Sequence, residues 1–245
     1  MLRPRTRTAL ERVHAAGSDV IVVTGRMFRA VRPYLVTDDP VVCYQGAVVA
    51  DPRSGEFLLH VPIPLADARD AMDAVLDAGY HLNVYVDDEL YVAEVNAEAR
   101  RYSEFQHIPV NAVGDLRAWL SSPPTKLVAV GDPDELNALE AELKPRFAGH
   151  LFISKSLPYF LEFAHPEVSK GSGLTFVAER LGFAAEETVA CGDGENDREL
   201  LDWAGFGVAV ANAHPDVLAR ADLVVPSVQD EGVATLLEAY LDSLA

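Results

Sequence analysis

Two short apolar runs that stop abruptly at glycine and polar residues constrain this chain most. Asp19-Val-Ile-Val-Val23 is apolar without alternation and is broken by Thr24-Gly25-Arg26, and Thr188-Val-Ala-Cys191 is broken by Gly192-Asp193-Gly-Glu-Asn196-Asp197. A strand with one wet face alternates, whereas a continuous β-branched run closed by turn residues reads as a strand buried on both faces. Helical patterns lie between such runs. Leu10 and Val13 fall within a helix over Pro4–Ala16 stopped by Gly17, a second helix is expected from about Met27 to Leu35, and Leu174, Val177, Ala178 and Leu181 align on a helix over Gly171–Leu181. Strand and helix in alternation predict an α/β fold with a Rossmann-like parallel sheet covered on both sides.

The rhythm changes in the middle. Pro62 and Pro64 punctuate the chain, and a helix carrying Ala68, Met72, Val75 and Leu76 ends at Gly79. Alternating strands follow over His81–Val86 and Leu90–Val95, then a strand Lys126–Val130, a helix Pro133–Leu143, and strands Leu151–Ser154 and Tyr159–Phe163. This is an α+β module set into the α/β core. The expected division is core over residues 1–61, inserted module over 62–163, and core again over 164–245.

The formal charge of −18 excludes a nucleic-acid or anionic-membrane surface, since both reward clustered Lys and Arg. No apolar stretch approaches the ~20 residues needed to span a bilayer, and Cys43 and Cys191 each end an apolar run, as buried thiols in a reducing cytoplasm do. With so acidic a chain, an anionic ligand needs a metal ion and a few placed cations.

Three places offer them. Asp193, Asn196 and Asp197 stand at the carboxyl end of a strand, where open α/β sheets bind ligands, and hard oxygens on a short loop suit Mg²⁺; a solvated turn with a capping Asp is the alternative. Thr24 offers a hydroxyl and an amide to a phosphate oxygen, with Gly25 allowing close approach, or it caps the next helix. Lys170 opens an amphipathic helix, where its ammonium and the helix dipole attract an anion, unless it is an ordinary solvated charge.

In this order the pieces resemble the haloacid dehalogenase-like (HAD) phosphohydrolases of the Cof-type branch with a type IIB cap. Thr24-Gly25-Arg26 resembles that family's second motif, Lys170 its third, and Gly192-Asp193-Gly-Glu-Asn196-Asp197 its fourth; Gly207-Val-Ala-Val-Ala-Asn212 and Asp230-Glu-Gly232 are similar to its tail. The resemblance implies a Mg²⁺-dependent phosphatase of a small soluble phosphate ester, a sugar or polyol phosphate. The phosphoryl group would be held by Thr24, Gly25, Lys170 and Asn196, and Mg²⁺ by Asp193, with Asp197 supporting it directly or through water. It implies a cap that selects the leaving group, with His81, Asn83, Tyr85, Lys126 and Lys155 as candidates for its substrate face. Where the family has Asn, this chain has Gln45, which leaves a substrate contact there open. Neither the motifs nor the composition set an oligomeric state.

One motif does not match. The family opens with Asp-x-Asp-Gly-Thr after its first strand, the first Asp attacking phosphorus and the second carrying the leaving group's proton, whereas Met1–Leu10 already matches the helix that follows. Gly131-Asp132-Pro-Asp134 falls inside the cap and reads as a turn capping the Pro133 helix. The missing strand would be central, so its absence predicts two core strands without ladder partners. The expectation is an upstream nucleophile and a start at an internal methionine. A phosphate-binding homologue that has lost catalysis and a phosphosugar mutase remain as alternatives.

Overall fold

The computed structural model describes residues 2–244, which form two units. One comprises the residues up to Thr24, Val31–Leu59 and the chain from Ser169 onward; the other comprises Gly25–Ala30 and His60–Val168.

The first unit begins with α1 (Pro4–Ala15), whose proline sits where a helix has no amide to lose. The run Val20–Val23 that follows is extended but makes a single parallel bridge, Val23 to Val42, with Thr24 N donating to Val42 O at 2.9 Å. The expected strand thus has one neighbour and no ladder. The expected helix at 27–35 shrinks to α2 (Phe28–Val31), which begins in the other unit, and a single 3₁₀ turn, Arg32–Tyr34. Pro33 explains the break, because it has no N–H and its ring crowds the preceding turn. Strands β1 (Val41–Cys43), β2 (Val48–Ala50) and β3 (Phe57–His60) form a sheet in that order, β1 and β2 antiparallel.

The inserted unit carries α3 (Leu65–Asp77), β4 (His81–Val86), β5 (Glu89–Val92), α4 (Ala97–Gln106), β6 (Asn111–Ala112), α5 (Leu116–Trp119), β7 (Lys126–Val130), α6 (Pro133–Arg146), β8 (Phe152–Leu157) and β9 (Phe160–Ala164). Its six strands run in the order β6-β5-β4-β7-β9-β8. Alternation decides the two faces. Leu82, Val84, Leu127, Ala129, Leu161 and Phe163 pack with Met72 and Val75 of α3 and Leu136, Leu139 and Leu143 of α6 in one apolar cluster. The opposite face holds His81, Asn83 and Tyr85 of β4, beside Lys126 and Val128 of β7 and Glu162 of β9, as the register Tyr85↔Lys126, Asn83↔Val128, Val128↔Glu162 requires.

Back in the first unit, α7 (Lys170–Leu181) is capped by Ser169 and ends at Gly182 in the left-handed conformation. Then come β10 (Val189–Gly192), α8 (Arg198–Trp203), β11 (Phe206–Val210), α9 (Pro215–Leu218), β12 (Leu223–Val225) and α10 (Gly232–Ser243). Strands β10, β11 and β12 are parallel in that order, the α/β arrangement read from the continuous runs. Helix α10 packs on α1, where Arg5 pairs with Glu238 at 2.6 Å. Val42 of β1, Ala190 of β10 and Leu174 and Val177 of α7 share one cluster with Ile21 and Val23. The extended run and β10 therefore rest on the same helix, yet among the described residues no ladder joins them. No helix among the described residues is long and apolar enough to cross a membrane.

Candidate active site

The site is built around one carboxylate. Lys170, the first residue of α7, is 7% exposed, and its Nζ donates to Asp197 Oδ1 at 2.5 Å. Asp197 Oδ2 accepts from the backbone amides of Asp193 and Gly194, each at 2.9 Å. The chain can fold back this tightly because residue 192 is glycine: a Cβ there would lie 2.5 Å from Asp197 Cβ. Asp197 N closes the turn on Gly194 O at 2.8 Å, and His214 N donates to Asp193 O at 2.8 Å, tying the loop to α9. The thiol of Cys191 behind it is pushed up to about 11, first by burial and then by the Asp197 and Asp193 carboxylates.

A second chain of bonds meets this loop from β1. Gln45 N donates to Thr24 O at 3.2 Å, and Asn196 Nδ2 donates to Gln45 Oε1 at 2.9 Å. Thr24, Asn196, Asp193, Asp197 and Lys170 are thus linked through Gln45 and the 193–197 loop within one unit. Gly25 belongs to the other unit's contacts, where its carbonyl accepts from Lys126 Nζ at 3.0 Å. The two further partners are Gln45, marked in the sequence only as a departure from the family's Asn, and Glu162, which the sequence did not single out. A lone carboxylate inside the apolar run Phe160-Leu-Glu-Phe-Ala is the signal for the second, since unpaired acids are rarely buried.

The donor set fits Mg²⁺ in part. Asp193 is exposed, and among the described residues no hydrogen bond engages its carboxylate, so it can offer a hard oxygen to a cation that binds one or two carboxylates and fills the rest with phosphate and water. Asp197 has both oxygens occupied by Lys170 and two amides, which suits holding the loop. Among the described residues no three His, Cys, Asp or Glu side chains converge as a ready-made cage.

In the inserted unit, Lys126 (2% exposed) also pairs with Glu162 Oε2 at 3.3 Å and lies 5.2 Å from the centre of the Tyr85 ring, while Tyr85 bonds Tyr102. His81 Nε2 bonds Asn83 Oδ1 at 3.0 Å and its Nδ1 bonds Asn96 at 3.1 Å, beside a cleft of about 750 Å³. Lys155 points the other way, to the Pro133 carbonyl and Asn137 of α6. Burial is the leading cause holding both His81 and His60 below the usual histidine range. A histidine kept neutral by the fold costs no stability above pH 6.5 and destabilises as pH falls below that value, when the unfolded chain gains the proton more readily. The urea midpoint is expected to fall between pH 7 and pH 5, with the His81 ring proton resonance titrating below 6.5. A His81 midpoint above 6.5 would contradict this.

Comparison with known proteins gives the family. Residues 1–237 match the family model described as haloacid dehalogenase-like hydrolase. The phosphoglycolate phosphatase of Archaeoglobus fulgidus is 30% identical, over 94% of this chain and 86% of its own length. The crystal structure of TM0651 from Thermotoga maritima is 30% identical, with a TM-score of 0.85 over 97% of this chain and 90% of that one. The HAD subclass IIB sugar phosphatase BT4131, at 22% identity, shares the fold with a TM-score of 0.83 over 98% of this chain and 92% of that one. With its α/β core, its inserted six-stranded unit and its Lys170–Asp197 loop, the chain belongs to the haloacid dehalogenase-like hydrolases, a phosphatase by family.

Proposed function

We propose that this protein is a Mg²⁺-dependent phosphomonoesterase of small cytoplasmic phosphate esters, a sugar or polyol phosphate among them. The observation that carries this reading is the buried Lys170–Asp197 pair at the carboxyl end of β10, with the Asp193 carboxylate open beside it. In a chain of net charge −18 this is where a phosphate dianion finds an ammonium and a place for a counter-ion. Phosphoryl transfer asks mainly for positioning and charge neutralisation. Lys170, the Asn196 amide and the Thr24 hydroxyl would hold the phosphoryl oxygens. Mg²⁺ on Asp193 would neutralise charge on the phosphoryl group.

Neither Asp193 nor Asp197 suits the nucleophile, since Asp193 would hold the ion and Asp197 is neutralised and enclosed. A parallel strand set between Val20–Val23 and β10 would rest on α7 and end beside Thr24 and Asp193, as the ladder-free edges there allow. A carboxylate at its end would attack phosphorus. The ester P–O bond would break as the leaving alkoxide takes a proton from solvent, and water would then cleave the acyl phosphate to free the carboxylate and release inorganic phosphate.

The test is phosphate release from a panel of esters with Mg²⁺, using this chain and a version extended by its in-frame upstream codons. Turnover is expected only in the extended protein. An extended protein that folds and binds phosphate but turns over no ester would replace this reading with that of a binding protein.

A further inference from the structure

The turn between β1 and β2 is built at odds with its own sequence. Tyr44, Gln45 and Gly46 have φ of 52°, 60° and 106°, three consecutive residues in the left-handed region, and only the last is glycine. Gly46 is obligatory, because a Cβ there would sit 1.9 Å from the Ser169 carbonyl oxygen at the cap of α7. Gln45 is not what the backbone alone would select. Among residues with a side chain, Asn tolerates this region best, because its short amide bonds locally. Gln45 nevertheless occupies the position and is 5% exposed.

The side chain supplies the reason. Its Oε1 accepts from Asn196 Nδ2 at 2.9 Å, across 151 residues of sequence, while its backbone N–H donates to the Thr24 carbonyl at 3.2 Å. On the other side, Asn196 Oδ1 occupies space that only a glycine at 194 leaves open, since a Cβ there would lie 2.6 Å from it. The hydrogen bond to Gln45 orients the Asn196 amide, taking one of its N–H groups and leaving the other to face an anion. An Asn at position 45 would be shorter by one methylene and would not span the gap.

We infer that Gln45 is a positioning residue that orients the Asn196 amide toward a phosphoryl oxygen and ties it to the Thr24 loop. This deepens the phosphatase reading and rests on it for the role of Asn196. The strain of a non-glycine residue at φ 60° is held because the contact organises a functional group.

Gln45→Asn separates positioning from simple structural support, because the two roles predict different outcomes. Inorganic phosphate is titrated in the presence of Mg²⁺ into the wild type, Gln45→Asn, Gln45→Met and Asn196→Ala, with thermal midpoints and the Asn196 side-chain amide resonances followed alongside. In Gln45→Asn the midpoint is expected to hold or rise, phosphate to bind about tenfold more weakly, as the loss of one hydrogen bond to a charged ligand implies, and the Asn196 amide protons to move toward free-amide positions. Gln45→Met, which keeps the length but has no acceptor, should lose the same affinity. Phosphate bound by Gln45→Asn as tightly as by wild type, with Asn196→Ala impaired, overturns the positioning role alone. Unchanged affinity in Asn196→Ala, or no phosphate uptake by the wild type, overturns the reading beneath it as well.

Discussion

Replacing Asp197 with alanine is expected to lower the unfolding free energy by about 3–5 kcal/mol, the usual consequence of removing one partner from a buried ion pair. The Lys170 and Asp197 side chains are only 8% and 6% exposed, so the ammonium left behind has little access to water. Its loss is compounded by the Asp193 and Gly194 amides, which share the other carboxylate oxygen as acceptor. For a chain of this size the thermal midpoint should fall by on the order of 10 °C. Asp197→Asn is the informative companion. It keeps an oxygen for the two amides but not the charge, and should recover part of the loss. Urea denaturation of both variants gives the comparison. If Asp197→Ala costs less than about 1 kcal/mol, the typical value for an exposed pair, the loop is held by something other than this carboxylate.

How much of this was legible beforehand follows from the range of each signal. The run ending at Cys191 became β10 because a continuous apolar segment is buried whichever neighbours it finds, and Asp193 stands at its end for the same local reason. Asp19–Val23 carries the same signal, yet it forms one bridge, because a ladder depends on partners that sequence periodicity does not describe. Pro33 marks where the helix before it must break, a local rule that the apolar pattern around it obscured. The two faces of the inserted sheet were legible as alternation, but the polar face was not legible as a network. Lys126 and Glu162 lie 36 residues apart, and Gln45 and Asn196 lie 151 apart. Long-range side-chain pairs leave no periodic trace; what they leave is a charged or amide residue in an apolar setting, as at Glu162 and Gln45.

That trace makes Lys126 the second place where a large effect is expected. Lys126→Met should destabilise the protein by about 3–5 kcal/mol, since it removes the opposite charge from the Glu162 carboxylate in an enclosed site where the two side chains are 3% and 8% exposed. The double variant Lys126→Met/Glu162→Leu should recover most of that loss, because replacing both members of a buried pair with apolar groups of similar volume removes the desolvation penalty together with the attraction. Recovery will be incomplete. Lys126 Nζ also donates to the Gly25 carbonyl, and losing that bond leaves about 0.5–1.5 kcal/mol unrecovered. A double-mutant cycle by urea denaturation measures the coupling, as the two single losses less the loss in the double variant. If the double variant is instead less stable than either single one, the pair does not behave as a buried ion pair. The contact with Gly25, in the loop that also carries Thr24, would then be the larger part of what Lys126 contributes.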